Sequence, residues 1–222
     1  METQSFRIGT DDGSLGALLD APDRPFAAYV FAHGAGAGMH HGFMAALAQA
    51  LAARGVAALR FQFPFMERGS KRPDPPAAAQ AAIRAAVASA ARRFAKLPLF
   101  AGGKSFGGRM ASQAQAAQPL PGVRGLVFVG FPLHPAGKPS LQRAAHLQQV
   151  DAPMLFLQGT RDALADMALL QQALQPLGSR ATLHVVSQAD HAFAVPARSG
   201  RKQPDIIAEL ADAAAAWMRA TA

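Results

Sequence analysis

The chain has 222 residues, half of them hydrophobic, which is enough to bury one sizeable core, and we expect a single domain over residues 1–222. It contains no cysteine, and this excludes disulfides, thiolate metal sites and cysteine nucleophiles. Its formal net charge is +8, but most of the basic residues are arginines scattered along the chain. The sequence shows no zinc knuckle and no helix-turn-helix spacing. We therefore expect a solvated basic surface and no nucleic-acid partner.

The predicted elements begin with an antiparallel hairpin, in which the strands Phe6–Gly9 and Leu15–Leu19 flank the turn residues Asp11, Asp12 and Gly13. Downstream, apolar runs of strand length alternate with longer helical patterns. The predicted strands are Ala27–Ala32, Val56–Phe61, Leu99–Ala101, Gly125–Gly130, Pro153–Leu157 and Thr182–Val186. The predicted helices are Phe43–Ala53, Ala77–Phe94, Gly107–Gln118, Leu141–Gln148, Ala163–Leu174 and Pro204–Met218. The segments Pro64–Pro76 and Pro132–Lys138 are predicted to be irregular.

Strands that are apolar along their whole length and alternate with helices indicate a parallel sheet covered on both faces. The predicted fold class is therefore α/β, with a mostly parallel central sheet, helices on both faces and the antiparallel hairpin at one edge. The first residues, Met1–Ser5, include an acid and no apolar segment, and no apolar run approaches the roughly 18–20 residues that span a bilayer. We therefore expect a cytoplasmic protein with no membrane partner.

The segment Gly103–Gly107, with the sequence GKSFG, fits the pattern G-x-S-x-G between a predicted strand and a predicted helix. In that setting the turn holds its serine, here Ser105, on a strained elbow at the end of the strand. Gly103-Lys104-Ser105 also ends like a phosphate-binding loop, but the first glycine of that motif would have to be residue 98, which is proline. The nucleotide-binding interpretation fails, and we expect no cofactor.

Reactive side chains of an open α/β sheet gather beyond the carboxyl ends of its strands. At these positions the sequence places the loop His33–Gly36, then Ser105, Asp162 and His191. A serine hydroxyl needs a base within hydrogen-bond reach and an acid that orients the base. One residue of each type is present, with Asp166 as an alternative acid one helical turn after Asp162.

Six stretches resemble the α/β-hydrolase superfamily, in its small lidless branch near the dienelactone-hydrolase-like proteins. They are His33–Ala37 (HGAGA), Arg60–Pro64 (RFQFP), Gly102–Arg109 (GGKSFGGR), Phe131–Pro135 (FPLHP), Gln158–Asp162 (QGTRD) and Asp190–Phe193 (DHAF). Within that branch the sequence is most similar to the hydrolase-like group with testis-expressed and chromatin-complex-associated members. The resemblance implies a catalytic triad of Ser105, His191 and Asp162. Dienelactone hydrolases proper use a cysteine nucleophile, so their substrate is not carried over.

The oxyanion hole is expected to consist of two backbone N–H groups, one from Phe106 and one from the loop after the first parallel strand. We predict Ala35 for the second, with Gly36 as the alternative. His33 is expected to order that loop by hydrogen bonds. The pair His40-His41 lacks the further ligands of a metal site, and we expect an exposed pair at the mouth of the pocket and no metal.

Two cations, Lys104 and Arg109, flank the nucleophile. Each either holds an anionic group of the substrate or pairs with an acid such as Glu67 or Asp190, and both alternatives stay open. The candidate substrate-binding residues are His33, Gly34, Gly36, Lys104 and Arg109.

The sequence thus predicts a serine hydrolase that cleaves a small ester or thioester through an acyl-enzyme. The alternative is a hydrolase-like fold used as a binding or scaffold module. No long insertion follows the strand Gly125–Gly130, where larger relatives carry a lid, so we expect a shallow, open pocket with Pro132–Gln149 as its candidate cover.

Overall fold

The computed structural model describes residues 2–11 and 13–222, and within them eight strands form one sheet. The strands are β1 (Gln4–Thr10), β2 (Gly13–Asp20), β3 (Ala27–Ala32), β4 (Val56–Phe61), β5 (Leu99–Lys104), β6 (Val123–Val129), β7 (Met154–Gly159) and β8 (Ala181–Val186). Their order across the sheet is β1-β2-β4-β3-β5-β6-β7-β8. Strand β2 pairs antiparallel with both β1 and β4, whereas β3 to β8 pair in parallel. The predicted parallel sheet with an antiparallel edge hairpin is confirmed.

Six α-helices and three short 3₁₀ helices surround the sheet in the described residues. The α-helices are α1 (Gly42–Ala52), α2 (Pro64–Glu67), α3 (Pro76–Arg93), α4 (Phe106–Ala117), α5 (Met167–Leu174) and α6 (Gln203–Thr221). The 3₁₀ helices span Gln142–Gln149, Gln175–Arg180 and Ala197–Ser199. None of the helices within these ranges combines the length and the apolar character needed to cross a bilayer.

The core is divided by the sheet into two apolar layers. Because successive side chains of a strand point to opposite faces, Tyr29 and Phe31 of β3 pack on the side of α1 and α6, and Val30 packs on the side of α3 and α4. Every residue of β3 and β4 is buried. Both faces of the parallel strands are thus covered, which is why these strands are apolar throughout.

Three local details differ from the sequence-based expectations or lie outside them. The segment Pro64–Pro76 contains the short helix α2, which begins with a proline, a residue suited to the first helical position. Helix α5 begins at Met167 instead of Ala163, because residues 162–166 form a turn and the Asp166 side chain accepts a hydrogen bond from the α5 backbone. In the predicted hairpin turn, Asp12 lies outside the described residues.

Candidate active site

Ser105 lies on a sharp turn between β5 and α4. Its φ of 51° and ψ of −116° form a positive-φ conformation that costs a non-glycine residue on the order of 1–3 kcal/mol. The turn packs closely against the end of β3: a Cβ atom on Gly103 would lie 2.4 Å from the Ala32 carbonyl oxygen, and one on Gly107 would lie 2.6 Å from it. Close backbone approach therefore requires glycine on both sides of the serine.

Ser105, His191 and Asp162 are joined by hydrogen bonds. The distance from Ser105 Oγ to His191 Nε2 is 2.8 Å, and the distance from His191 Nδ1 to Asp162 Oδ2 is 2.7 Å. Because an ionised carboxylate only accepts hydrogen bonds, Nδ1 carries the proton and Nε2 is left to accept the serine hydroxyl. The side chain of Asp162 is fully buried and that of His191 is 26% exposed, so water reaches the imidazole but not the carboxylate.

The carboxylate of Asp162 is held by two further groups. Gln158 Nε2 donates to Asp162 Oδ2 at 2.6 Å, and the Leu164 N–H donates to Asp162 Oδ1 at 2.7 Å. Gln158 is itself buried and fixed, because its Oε1 accepts the Phe131 N–H at 2.9 Å. Sequence reasoning did not assign Gln158 a role. The available signal was a polar residue near the end of an otherwise apolar strand, four residues before the acid.

The two other acids near this edge have different partners. Asp166 Oδ1 accepts the Leu169 N–H at 2.9 Å and caps α5. Asp190 Oδ1 accepts the N–H groups of Ala192 and Ala194, which fixes the turn that carries the histidine. The structure therefore places Asp162, and neither of these acids, in hydrogen-bond contact with the imidazole.

His33 orders the loop that follows β3. Its Nδ1 lies 2.7 Å from the Gly34 carbonyl oxygen, and its Nε2 accepts the Phe63 N–H at 3.0 Å. The imidazole is fully buried, and this burial lowers its pKa to about 4, so it is neutral at pH 7. The loop touches the elbow, since a Cβ atom on Gly34 would lie 3.7 Å from Ser105 Cβ.

The buried neutral state of His33 makes folding sensitive to acid. Between pH 6.5 and about pH 4 the unfolded chain binds a proton that the folded chain excludes, so the free energy of unfolding falls as the pH falls through this window. We expect His33 to account for about 3 kcal/mol of this loss. This part of the pH dependence should be absent from the His33→Gln protein. Urea unfolding of both proteins across the window measures it, and parallel pH dependences would contradict the prediction.

A buried ion pair anchors the far end of the same loop. Arg60 Nη2 lies 2.6 Å from Asp20 Oδ2, and both side chains are almost fully buried. Arg60 Nη1 donates to the Met39 carbonyl at 2.7 Å, and the Met39 N–H donates to Gln62 Oε1 at 2.9 Å. Together with the hydrogen bond between His33 and Phe63, these contacts attach the stretch Arg60–Pro64 (RFQFP) to both ends of the loop.

The backbone N–H groups of Phe106 and Ala35 are available at this edge. Phe106 is the first residue of α4, where N–H groups have no partner within the helix. Across residues 2–11 and 13–222, neither N–H donates to a protein acceptor. The same is true of Gly36, so this observation does not decide between Ala35 and Gly36.

A cavity of about 650 Å³ opens beside Ser105 and His191. Its walls are mostly apolar and come from the loop after β3, the start of α1, and the turns after β7 and β8. They include Gly34, Ala35, Gly36, Phe43, Met44, Lys104, Arg161 and Leu164. The predicted cover, Pro132–Gln149, contributes no residue to this lining. A second cavity of about 710 Å³ lies between the N-terminal hairpin and α3, away from all of these strand ends.

The two predicted cations lie in different surroundings. Lys104 lines the cavity and donates from Nζ to the His191 carbonyl oxygen at 2.5 Å. It forms no ion pair with Glu67, which bonds to Arg7 instead. Arg109 does not line the cavity; burial, and to a lesser extent the neighbouring Arg143, lower its pKa.

One member of the predicted pair His40-His41 lies at the cavity. His41 lines the cavity mouth, and its Nδ1 accepts the Phe43 N–H at the start of α1. In the part of the chain that the structure describes, no three His, Asp or Glu side chains are grouped as metal ligands would be.

Comparison with known proteins agrees with the fold. A family described as "Alpha/beta hydrolase domain" matches residues 25–219, which is most of the chain. The chain belongs to this α/β-hydrolase family. Strands β1 and β2 and the last two residues of α6 lie outside the matched range.

Solved structures of similar proteins show the same fold. A dienelactone hydrolase from Anabaena variabilis is 21% identical, covers 99% of this chain and 98% of its own, and superposes with a TM-score of 0.79. A serine hydrolase without a lid from Xanthomonas campestris is 22% identical over 98% of this chain and 95% of its own, with a TM-score of 0.76. The esterase domain of a Rhodothermus marinus protein is 19% identical over 99% of both chains, with a TM-score of 0.76.

Proposed function

We propose that this α/β-hydrolase cleaves a small ester or thioester through an acyl-enzyme on Ser105. The observation that carries the proposal is the pair of hydrogen bonds from Ser105 Oγ to His191 Nε2 and from His191 Nδ1 to Asp162. This is the arrangement of nucleophile, base and orienting acid that acyl transfer requires. It faces a cavity large enough for a small substrate.

In the proposed reaction, Ser105 Oγ attacks the carbonyl carbon while His191 Nε2 takes the hydroxyl proton. The N–H groups of Phe106 and Ala35 stabilise the negative charge on the carbonyl oxygen. The buried carboxylate of Asp162 stabilises the imidazolium, which then protonates the leaving group. A water molecule then attacks the acyl-enzyme while His191 takes its proton. The bond between the acyl carbon and Ser105 Oγ breaks, His191 returns the proton to Oγ, and the acid is released.

The substrate is expected to be small and largely apolar around the scissile bond. The cavity walls beside Ser105 are mostly apolar, and no segment of Pro132–Gln149 covers them. The names of the structural neighbours, an esterase domain and a dienelactone hydrolase, support an ester as the bond that is cleaved. Membership of the testis-expressed and chromatin-associated group stays a prediction from the sequence resemblance.

Turnover of p-nitrophenyl esters of increasing acyl length tests this proposal. We expect hydrolysis of the acetate and the butyrate, with lower kcat/KM for the decanoate, because no residue of Pro132–Gln149 lines the cavity to cover a long acyl chain. An acyl thioester of the same short acids serves as the second substrate class. Absence of turnover with every ester and thioester would favour the binding-module alternative.

A further inference from the structure

Lys104 has an unusual position for a lysine. Its ammonium lies 5.6 Å from the ring centroid of Phe43 and 5.3 Å from that of Phe193, and these two rings stack on each other at 5.7 Å. Its direct hydrogen-bond partner is the backbone carbonyl of His191, at 2.5 Å. A cation held against two aromatic faces and one carbonyl has little freedom to move.

The turn that carries His191 needs such a constraint. Two non-glycine residues in it, Gln188 and Phe193, have positive φ values of 60° and 61°. Conformations of this kind persist only where the surroundings impose them. Asp190 bonds to the N–H groups on the far side of the histidine, while Lys104 holds the carbonyl of the histidine itself.

The position of Lys104 in the chain makes this contact informative. Lys104 is the last residue of β5 and immediately precedes Ser105. One side chain therefore connects the elbow of the nucleophile to the backbone of the base. The separation of 2.8 Å between Ser105 Oγ and His191 Nε2 depends on the relative placement of these two segments.

We propose that Lys104 is a positioning residue for the hydrolysis: its ammonium donates to the His191 carbonyl and so holds the base beside the elbow that carries Ser105. The inference rests on the proposed function. In this proposal Lys104 binds the backbone of the catalytic base, His191, instead of an anionic group of the substrate.

The charges around Lys104 decide the direction of the pH effect. Burial lowers the pKa of Lys104 to about 8, while the carboxylates of Asp162 and Asp190 act to raise it. Arg161, His41 and His191 line the same cavity. Below about pH 8 the side chain of Lys104 is therefore the charged donor to the His191 carbonyl, and above that pH the hydrogen bond loses its charge, so we expect kcat of the wild type to fall near pH 8.

Three substitutions separate the hydrogen bond from the charge. Lys104→Met removes both, and we expect kcat to fall by about 10- to 100-fold and the fall of kcat near pH 8 to disappear. Lys104→Gln keeps a neutral donor, so it should recover part of kcat and also lack the fall near pH 8. Lys104→Arg keeps its charge throughout this pH range, so its kcat should exceed that of Lys104→Met and stay constant through pH 8.

The matched control is Lys96→Met, an exposed lysine before the amino end of β5, which should leave the whole profile unchanged. Thermal unfolding of each variant shows that the assayed protein is folded. An active wild type together with a Lys104→Met protein of unchanged kcat and unchanged pH dependence near pH 8 would overturn this inference alone. An inactive wild type would overturn the proposed function, and the inference with it.

Discussion

Replacement of Ser105 by alanine is expected to lower kcat for p-nitrophenyl butyrate by about a million-fold and to leave the fold intact. The loss is large because the hydroxyl is the only group of the protein that forms a bond to the acyl carbon in the proposed reaction. Without it, His191 and the backbone N–H groups retain only a small part of the acceleration. Steady-state rates, corrected with blanks that contain no enzyme, measure the effect. A residual rate within tenfold of wild type would show that another residue is the nucleophile.

Ser105→Gly is the companion variant, and it separates the strain of the elbow from its chemistry. Glycine adopts positive φ without a Cβ penalty, so this protein should be as inactive as the alanine variant but more stable than it by roughly 1–3 kcal/mol. Urea unfolding of the two variants gives the difference. Equal stabilities would mean that the φ of 51° at this position stores no strain.

Asp162→Asn is expected to lower kcat by about ten thousand-fold. An amide in place of the carboxylate no longer requires the proton on His191 Nδ1, and it cannot stabilise the imidazolium that forms during attack. Steady-state kcat, measured beside wild type at saturating p-nitrophenyl butyrate, reports the loss.

The comparison variant is Asp166→Ala, which removes the other candidate acid. Because Asp166 caps α5 and does not contact the imidazole, this change should cost about 1 kcal/mol of stability and leave kcat within about twofold of wild type. The reverse pattern, with an active Asp162→Asn protein and an inactive Asp166→Ala protein, would assign the acid to residue 166.

The sheet and the elbow were predictable because they depend on local patterns. The apolar residues of β3 and β4 are consecutive, as expected when both faces of a strand are buried. The strand-end rule then brought Ser105, Asp162 and His191 to one edge without any knowledge of their distances. The turn packs so closely against Ala32 that both flanking residues must be glycine, and the motif G-x-S-x-G already contains these glycines.

Other features depend on partners that leave no trace in sequence spacing. The partner of Lys104 is a backbone carbonyl, which every residue has, so the sequence suggested only an anionic group of the substrate or an acid such as Glu67 or Asp190. The role of Gln158 follows from its contact with Asp162 in the folded strand. Helix α5 begins late because a capping side chain overrode the helical pattern, and propensity alone does not contain that competition.

Labelling with a fluorophosphonate tests the central claim most directly, because the probe reacts with an activated serine and does not depend on the natural acyl group. The mass of the intact protein and the mass of its peptides would be measured for wild type and for Ser105→Ala. We expect one adduct per wild-type chain, located on Ser105, and none on the variant. A wild-type protein that stays unlabelled, or an adduct on a residue other than Ser105, would contradict the assignment of a serine hydrolase to this site.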